Sequence, residues 1–396
     1  MSKLSASEFQ TWESLYWPDK VPRTSQLPES PLESVIAGLD ARWSYKSSAY
    51  SVPREAFVGL TDSVALKLTE ANAKMASVMA SDPIMVLAAV AAAFKTGTSV
   101  EVVHDPSKTP PSGAVTIVQG GRSSDPKGDF KVESAQAAGA AWEPSDPAVS
   151  ILFPEDARAI YPLGELRSAA TSFSSFLGLR EERGVALLGS IRREFGFFTA
   201  FSAMVTGVPL LVLDDVKGLQ SSSPKPSVMF LGRDMDGNKE GSLGSFRSVL
   251  GGLRREFAYV GVEGPSAPGF TRGLERSTGI PVLQMYGVSG RGIVLSNPKE
   301  FNTHGSAGIP ITNAEAIIAD NYEGNWTRDR ILMGPGVDGE LVFRGSFVDS
   351  MKDVGDPRQN PVRAAILGQS TDWVTTGITA KMDENGYFYV KDASFR

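Results

Sequence analysis

The sequence has 396 residues, 41% apolar and 21% charged, which exceeds the usual single-domain length and supplies enough material for a core. Its net charge of −6, from 39 basic and 45 acidic residues, provides no general field for attracting nucleic acid. With no cysteine, disulfides, zinc–thiolate centres, iron–sulfur clusters and cysteine nucleophiles are excluded, and two histidines leave little for a multi-histidine metal site. The longest apolar run, residues 84–94, is too short to span a bilayer and reads as a buried helix. The first residues carry no signal-like pattern, so the expected location is the cytoplasm, with mitochondria or another organelle left open.

Residues 1–48 read as an irregular arm in which Trp12, Trp17 and Trp43 stand among Pro18, Pro22, Pro28 and Pro31. Three tryptophans in a polar leader imply docking, on the arm's own domain or on a partner. Residues 64–68 read as a strand, with a turn region from Ala71. Asp82 followed by Pro83 predicts a helix over 83–95 that stops at Gly97, and the β-branched run 99–103 predicts a strand. The Gly/Ser/Pro-rich stretch 106–143 reads as a connection with one strand, 114–119; its Lys108, Arg122, Lys127 and Lys131 read as a solvated basic loop. Strands at 149–153, 184–188 and 209–213 then alternate with helices at 163–177 and 195–205. After a turn-rich 217–226, strands at 228–231, 259–262 and 281–285 alternate with helices at 244–255 and 270–277.

This alternation predicts an α/β fold of layered, mostly parallel sheets with flanking helices over residues 49–285. Beyond Tyr286, short strands and turns predict a smaller, mainly β subdomain over 286–396. In that part, Asp383, Glu384, Asn385 and Gly386 form a tight-turn signal between strand-like runs.

Local motifs identify no catalyst. The run from Gly334 to Gly339 matches G-x-G-x-x-G by letter, but a strand rather than a helix follows it. No G-x-x-x-x-G-K-[ST] loop exists, and Gly287-Val288-Ser289-Gly290 falls short of a nucleophile elbow. His104 and His304 lack a triad signature, and Asn325-Trp326-Thr327 is a sequon without a secretory signal. The pairs Arg192-Arg193 and Arg254-Arg255 read as solvated faces.

Several spaced segments, read together, carry a resemblance. They are A-A-V-A-A-A-F-K-T-G-T-S-V-E-V-V from Ala88, T-G-I-P-V-L-Q-M-Y-G from Thr278, G-S-A-G-I-P from Gly305 and G-E-L-V-F-R-G from Gly339. The last comprises Trp373, Thr376-Gly377 and Asp383-Glu384-Asn385-Gly386-Tyr387. In order and spacing they resemble the large N-terminal domain of the AMP-forming acyl-CoA synthetase, adenylation-domain and luciferase superfamily. The resemblance implies a ligand cleft near Gly261, Tyr286, Gly287, Ser289, Thr376 and Gly377.

The departures fall on the positions that the resemblance makes chemical. The S-G-T-T-G-x-P-K phosphate loop is replaced after Phe153 by Pro154-Glu155-Asp156-Ala157-Arg158, which offers carboxylates where phosphate oxygens need donors. The Y-G-x-T-E glutamate, a magnesium ligand in the superfamily, is Gly290; the T-G-D aspartate that holds ribose hydroxyls is Ile378. Ala393 follows Asp392 where an arginine is expected, and no lid domain with its catalytic lysine precedes Arg396. The expectation is a catalytically degenerate chain with no catalytic residue, cofactor or metal of its own, acting as a structural or protein-interaction subunit. Two alternatives stand beside it. One is a binder of an acyl or carboxylate ligand, or an ATP-independent enzyme using that cleft. The other is an AMP-forming ligase whose lid comes from another chain.

Overall fold

The computed structural model describes residues 17–18, 20–27, 35–80, 82–103, 115–119, 130–134, 146–153, 158–222, 225–233, 248–266, 268–320, 332–345, 363–366 and 369–391. The chain opens with strands β1 (Ser44–Lys46) and β2 (Ser51–Pro53), helix α1 (Arg54–Glu70), β3 (Met75–Val78), α2 (Pro83–Thr96) and β4 (Ser99–Val103). Strands β5 (Val115–Gln119), β6 (Phe130–Ser134), β7 (Ala148–Leu152) and β8 (Arg158–Pro162) lead into α3 (Leu163–Leu177). Next come β9 (Val185–Leu188), α4 (Glu194–Thr206), β10 (Leu210–Leu213), β11 (Val228–Leu231), β12 (Tyr259–Glu263) and α5 (Pro268–Thr278). The remainder is β: β13 (Val282–Val288), β14 (Gly292–Ser296), β15 (Ile309–Pro310), β16 (Ala314–Ala319), β17 (Gly339–Gly345), β18 (Arg363–Ile366), β19 (Gln369–Met382) and β20 (Phe388–Val390).

These strands form three sheets. The nine-stranded sheet runs β15-β14-β13-β12-β11-β9-β10-β1-β2, parallel from β13 to β1 and antiparallel at both ends. It takes in Ser44–Lys46, ahead of residue 48, and continues past Tyr286 to Pro310. The six-stranded sheet runs β6-β5-β3-β4-β7-β8, with its parallel pairs around β3 and β4. The third sheet, β16-β17-β19-β18 with β20 on β19, is antiparallel throughout.

Helix α2 is apolar all round, and every residue from Ile84 to Phe94 is buried, as a helix enclosed on all sides requires. Asp82 caps it by accepting from the Ile84 amide at 3.1 Å, and Gly97 ends it in the left-handed region at φ 70°. It packs on β3 and β4, whereas α4 packs on β9, β10 and β11. Phe94 of α2 stacks on Phe201 of α4, with ring centroids 5.8 Å apart, so the two helices fill the space between the two sheets. Alternate residues of β9 face opposite cores: Val185 and Leu187 join this layer, and Ala186 and Leu188 join a second core closed by Leu274 of α5.

Several elements differ from the sequence reading. Residues 64–68 lie inside α1, whose buried Phe57, Leu60, Thr61, Val64, Ala65 and Leu68 follow a helical period. The expected turn region after Ala71 contains β3, and the stretch 106–143 holds β6 besides β5. Strand β8 follows the phosphate-loop position; residues 154–157, carrying the expected loop replacement, lie outside the described residues. In the leader, Trp43 is buried with its ring 4.5 Å from Phe57, and Trp17 packs half-buried on the same core; Trp12 lies outside the described residues. No described helix is long and apolar enough to cross a membrane.

Candidate functional site

The sequence-expected residues fall into two groups on two sheets. Gly261 lies on β12 and pairs in register with Phe230 and Leu283. A Cβ there would stand 2.6 Å from Met285 Cε and 2.7 Å from Phe230 Cδ1, so side chains already fill the space over this glycine. Tyr286 and Gly287 lie on β13 where its register with β14 shifts, and Tyr286 is fully buried. Ser289 follows in the β13–β14 turn, which Gly290 closes at φ 72°. Thr376 and Gly377 lie on β19 of the antiparallel sheet.

The β13–β14 turn is organised by a residue that sequence reasoning passed over. Glu194, the first residue of α4, is 0% exposed. Its Oε1 accepts from the Tyr161 hydroxyl of β8 at 2.7 Å and from the Gly290 amide at 2.9 Å, while its Oε2 accepts from the Ser289 hydroxyl at 2.7 Å. A carboxylate in the first turn of a helix also meets the positive end of the helix dipole. The turn before α4 explains how Glu194 reaches this place. Ser190 accepts from the Arg193 amide through its carbonyl and from the Arg192 amide through its Oγ. Gly196 is required beside it, because a Cβ there would lie 2.2 Å from the Ser190 carbonyl oxygen.

Glu194, Tyr161 and Gly290 are buried, and Ser289 is half-buried. Burial, with the negative charge and hydrogen bond of Glu194, holds the Tyr161 hydroxyl well above its ordinary pKa. Next to the turn, Arg291 is 5% exposed, and burial pulls its pKa down to about 10 against the opposing pull of Glu165. Glu194 was legible only as a first-turn acid on an apolar helix; its partners lie 33 residues upstream and 95 residues downstream.

At the second group, the Thr376 hydroxyl donates to the Leu341 carbonyl at 2.6 Å and accepts from the Ile378 amide at 3.1 Å. The Gly377 amide donates to Glu340 Oε1 at 2.8 Å, and Gly377 takes φ 68° with open space where a Cβ would stand. Ile378 packs half-buried against the main core. The β19–β20 turn is closed by Asp383, whose Oδ1 accepts from the Asn385 and Tyr387 amides, both at 2.9 Å. Strand β20 is stitched to the G-S-A-G-I-P loop: Ala307 donates to the Phe388 carbonyl at 2.7 Å and Phe388 to the Gly308 carbonyl at 2.9 Å. The resemblance segments around Gly305 and Asp383 therefore meet in space.

Sheets, layers and connectivity recur in solved structures. ATP-bound MatB from Rhodopseudomonas palustris matches with a TM-score of 0.68 at 15% identity, over 92% of this chain and 78% of its own. This is the acyl-CoA synthetase fold. The amide bond synthetase McbA from Marinactinospora thermotolerans has it too, with a TM-score of 0.68, 15% identity and coverage of 92% and 78%. So does unliganded o-succinylbenzoate coenzyme A synthetase (MenE) from Bacillus subtilis, with a TM-score of 0.68, 16% identity and coverage of 92% and 82%. No protein-family model matches the sequence, and no curated protein does.

Within the acyl-CoA synthetase fold, the turn after β13 does not fit a magnesium ion. Gly290 brings no side-chain oxygen, the Ser289 hydroxyl is the one neutral side-chain oxygen of the turn and is oriented toward Glu194, and the Glu194 carboxylate is enclosed with three donors on it. Among the described residues no three His, Asp or Glu side chains gather as a metal site. His304, in the connection between β14 and β15, stands with its Nε2 3.5 Å from Glu275 of α5, away from this turn; His104 lies outside the described residues.

Proposed function

We propose that this chain keeps the acyl-CoA synthetase fold as a non-catalytic, protein-binding subunit, without ATP-dependent activation of carboxylic acids. The observation that carries the reading is the bonding of the turn at Ser289 and Gly290 to a buried carboxylate. The turn's hydroxyl and amide are both consumed by the buried Glu194, so neither is presented to a nucleotide. Ile378 supports it from the other sheet, where an apolar side chain packed on the core offers no acceptor for ribose hydroxyls. The body that remains is well built: its two parallel sheets enclose continuous apolar layers.

Calorimetry with ATP and magnesium tests the first half of the reading. The expected result is no saturable heat, and no pyrophosphate exchange with a panel of carboxylic acids. Micromolar ATP binding, or exchange with any acid, would overturn it. Purification from the native source under mild conditions tests the second half, with co-elution of a stoichiometric protein partner as the expected outcome. A monomer without a partner at physiological concentration counts against that role.

A further inference from the structure

Arg192 does not lie on a solvated face. Its neighbour Arg193 is exposed, but Arg192 itself is 6% exposed and turns inward from the connection that follows β9, two residues before α4. Its Nη1 donates to two carbonyls of the other parallel sheet, Val78 at 3.3 Å and Val103. These are the last residues of β3 and β4. Its Nη2 is buried and, among the described residues, has no hydrogen-bond partner. Among the described residues no carboxylate pairs with the guanidinium, and burial lowers its pKa to about 10. A buried cation without a counter-charge is costly, and a buried N–H donor pair without an acceptor adds to that cost. Two strand-end carbonyls satisfy one nitrogen and leave the other.

The place of this side chain is a second, independent observation. In the nine-stranded sheet β9 lies between β10 and β11, so chain order reverses there; in the six-stranded sheet β3 lies between β4 and β5, and order reverses again. Ligands of open α/β sheets bind outside the carboxyl ends of strands at such reversals. Arg192 extends from the connection that follows the carboxyl end of β9 to the carboxyl ends of β3 and β4, joining the two reversal points. An arginine offers paired donors in a plane, which match carboxylate and phosphate oxygens better than a water or a backbone carbonyl does.

We propose that the free Nη2 of Arg192 anchors the oxyanion group of a small-molecule ligand, a carboxylate or a phosphate, where the carboxyl ends of the two parallel sheets meet. The site is independent of the proposed loss of adenylation, because neither Ser289 nor Gly290 takes part in it.

The test is thermal unfolding of the full chain at constant ionic strength, with chloride replaced in turn by acetate, malonate or inorganic phosphate. The expected result is a saturable rise in Tm of roughly 3–6 °C with one of these anions over chloride. Arg192→Gln abolishes the rise, Arg192→Lys retains part of it, and Arg193→Gln leaves it unchanged. Saturation by acetate or malonate identifies a carboxylate ligand, and saturation by phosphate identifies a phosphorylated one. Should the Arg192 variants not fold, the guanidinium resonances of 15N-arginine-labelled wild-type protein are followed through the same titrations. The buried arginine resonance that remains in Arg291→Lys, and so belongs to Arg192, must shift with the effective anion. Tm changes that are equal for all anions, or that persist in Arg192→Gln, overturn the proposal; so does an Arg192 resonance that no anion moves. ATP calorimetry reads the separate question of adenylation, so failure here and failure there are distinguishable.

Discussion

The Ser289 hydroxyl donates to Glu194 Oε2 at 2.7 Å, joining residues 95 positions apart in the chain. The same carboxylate holds Tyr161 of β8, so one side chain ties the six-stranded sheet, helix α4 and the β13–β14 turn together. A turn fastened in this way cannot offer its hydroxyl outward without leaving a buried carboxylate short of a donor. Conformation and chemistry at this turn are thus coupled through Glu194.

Replacing Glu194 should therefore destabilise the whole layer. Glu194→Ala leaves the buried Tyr161 hydroxyl and Gly290 amide and the half-buried Ser289 hydroxyl without their acceptor, at a cost of about 3–5 kcal/mol. Glu194→Gln keeps the volume but turns two acceptor positions into donors, at about 1–3 kcal/mol. Urea unfolding measures both. A Tyr161→Phe/Glu194→Gln cycle should show coupling of roughly 1 kcal/mol or more, and strict additivity would mean that the Tyr161–Glu194 bond contributes nothing.

Gly308 sets how closely the antiparallel sheet docks on the nine-stranded one. It takes φ 99°, and a Cβ there would lie 2.0 Å from the Ser296 carbonyl carbon. Its own carbonyl accepts from Phe388. Gly308→Ala must push β14 and β20 apart, with a loss of about 3 kcal/mol or more. Gly336→Ala is the control, since it has a positive φ with open space around it and should cost only about 1 kcal/mol.

How much of this was legible in the sequence varies with how local each cause is. Helix α2 was legible because Asp82, Pro83 and Gly97 act within a turn of its ends. The apolar positions of α1 carried a helical period that a five-residue window at 64–68 could not register. Strand β3, Met-Ala-Ser-Val, is weak in β-formers, and its place is secured by pairing with β4 and β5. The resemblance segments around Gly305 and Asp383 were legible as motifs, and their contact follows from the fold. Glu194 and Arg192 stayed hidden because each is defined by partners on distant strands, and an acid or a base beside a helix start is ordinarily a surface residue.

The buried tyrosines predict an alkaline limit. Six of the nine tyrosines, at positions 45, 50, 161, 259, 387 and 389, have pKa values raised above 10, chiefly by burial; Tyr389 is pushed up to about 12. Raised folded-state values mean that the unfolded chain releases protons first. Their stabilisation is complete below about pH 10 and is lost as pH rises toward the folded values. For the enclosed Tyr161 and Tyr259 the slope is roughly 1.4 kcal/mol per pH unit each. Tyrosinate absorbance near pH 11 should stay well short of nine groups while the fold persists, then rise together with unfolding. Titration of all nine near pH 10 with circular dichroism unchanged would contradict this account.

The leader provides the last prediction. Asn313 sits at φ 63° and clasps residues 23–25. Its amide donates to the Arg23 carbonyl at 2.9 Å, its Oδ1 accepts from the Ser25 amide at 2.9 Å, and its Nδ2 donates to the Ser25 carbonyl at 3.2 Å and to Ser172 Oγ of α3 at 3.0 Å. Asparagine is one of the few side chains at ease in the left-handed region, so it serves both the turn and the clasp. Asn313→Ala removes the side-chain bonds and strains the backbone, whereas Asn313→Gly removes the bonds alone. Release of the segment by about 2 kcal/mol raises its open population roughly 30-fold, and trypsin cleavage after Lys20 and Arg23 should accelerate to match. Both variants should show this acceleration, and only the alanine variant should also lose global stability. If neither variant is cut faster than wild type, the leader is held by the Trp17 contact with the core and the Thr312 bond to the Pro22 carbonyl instead.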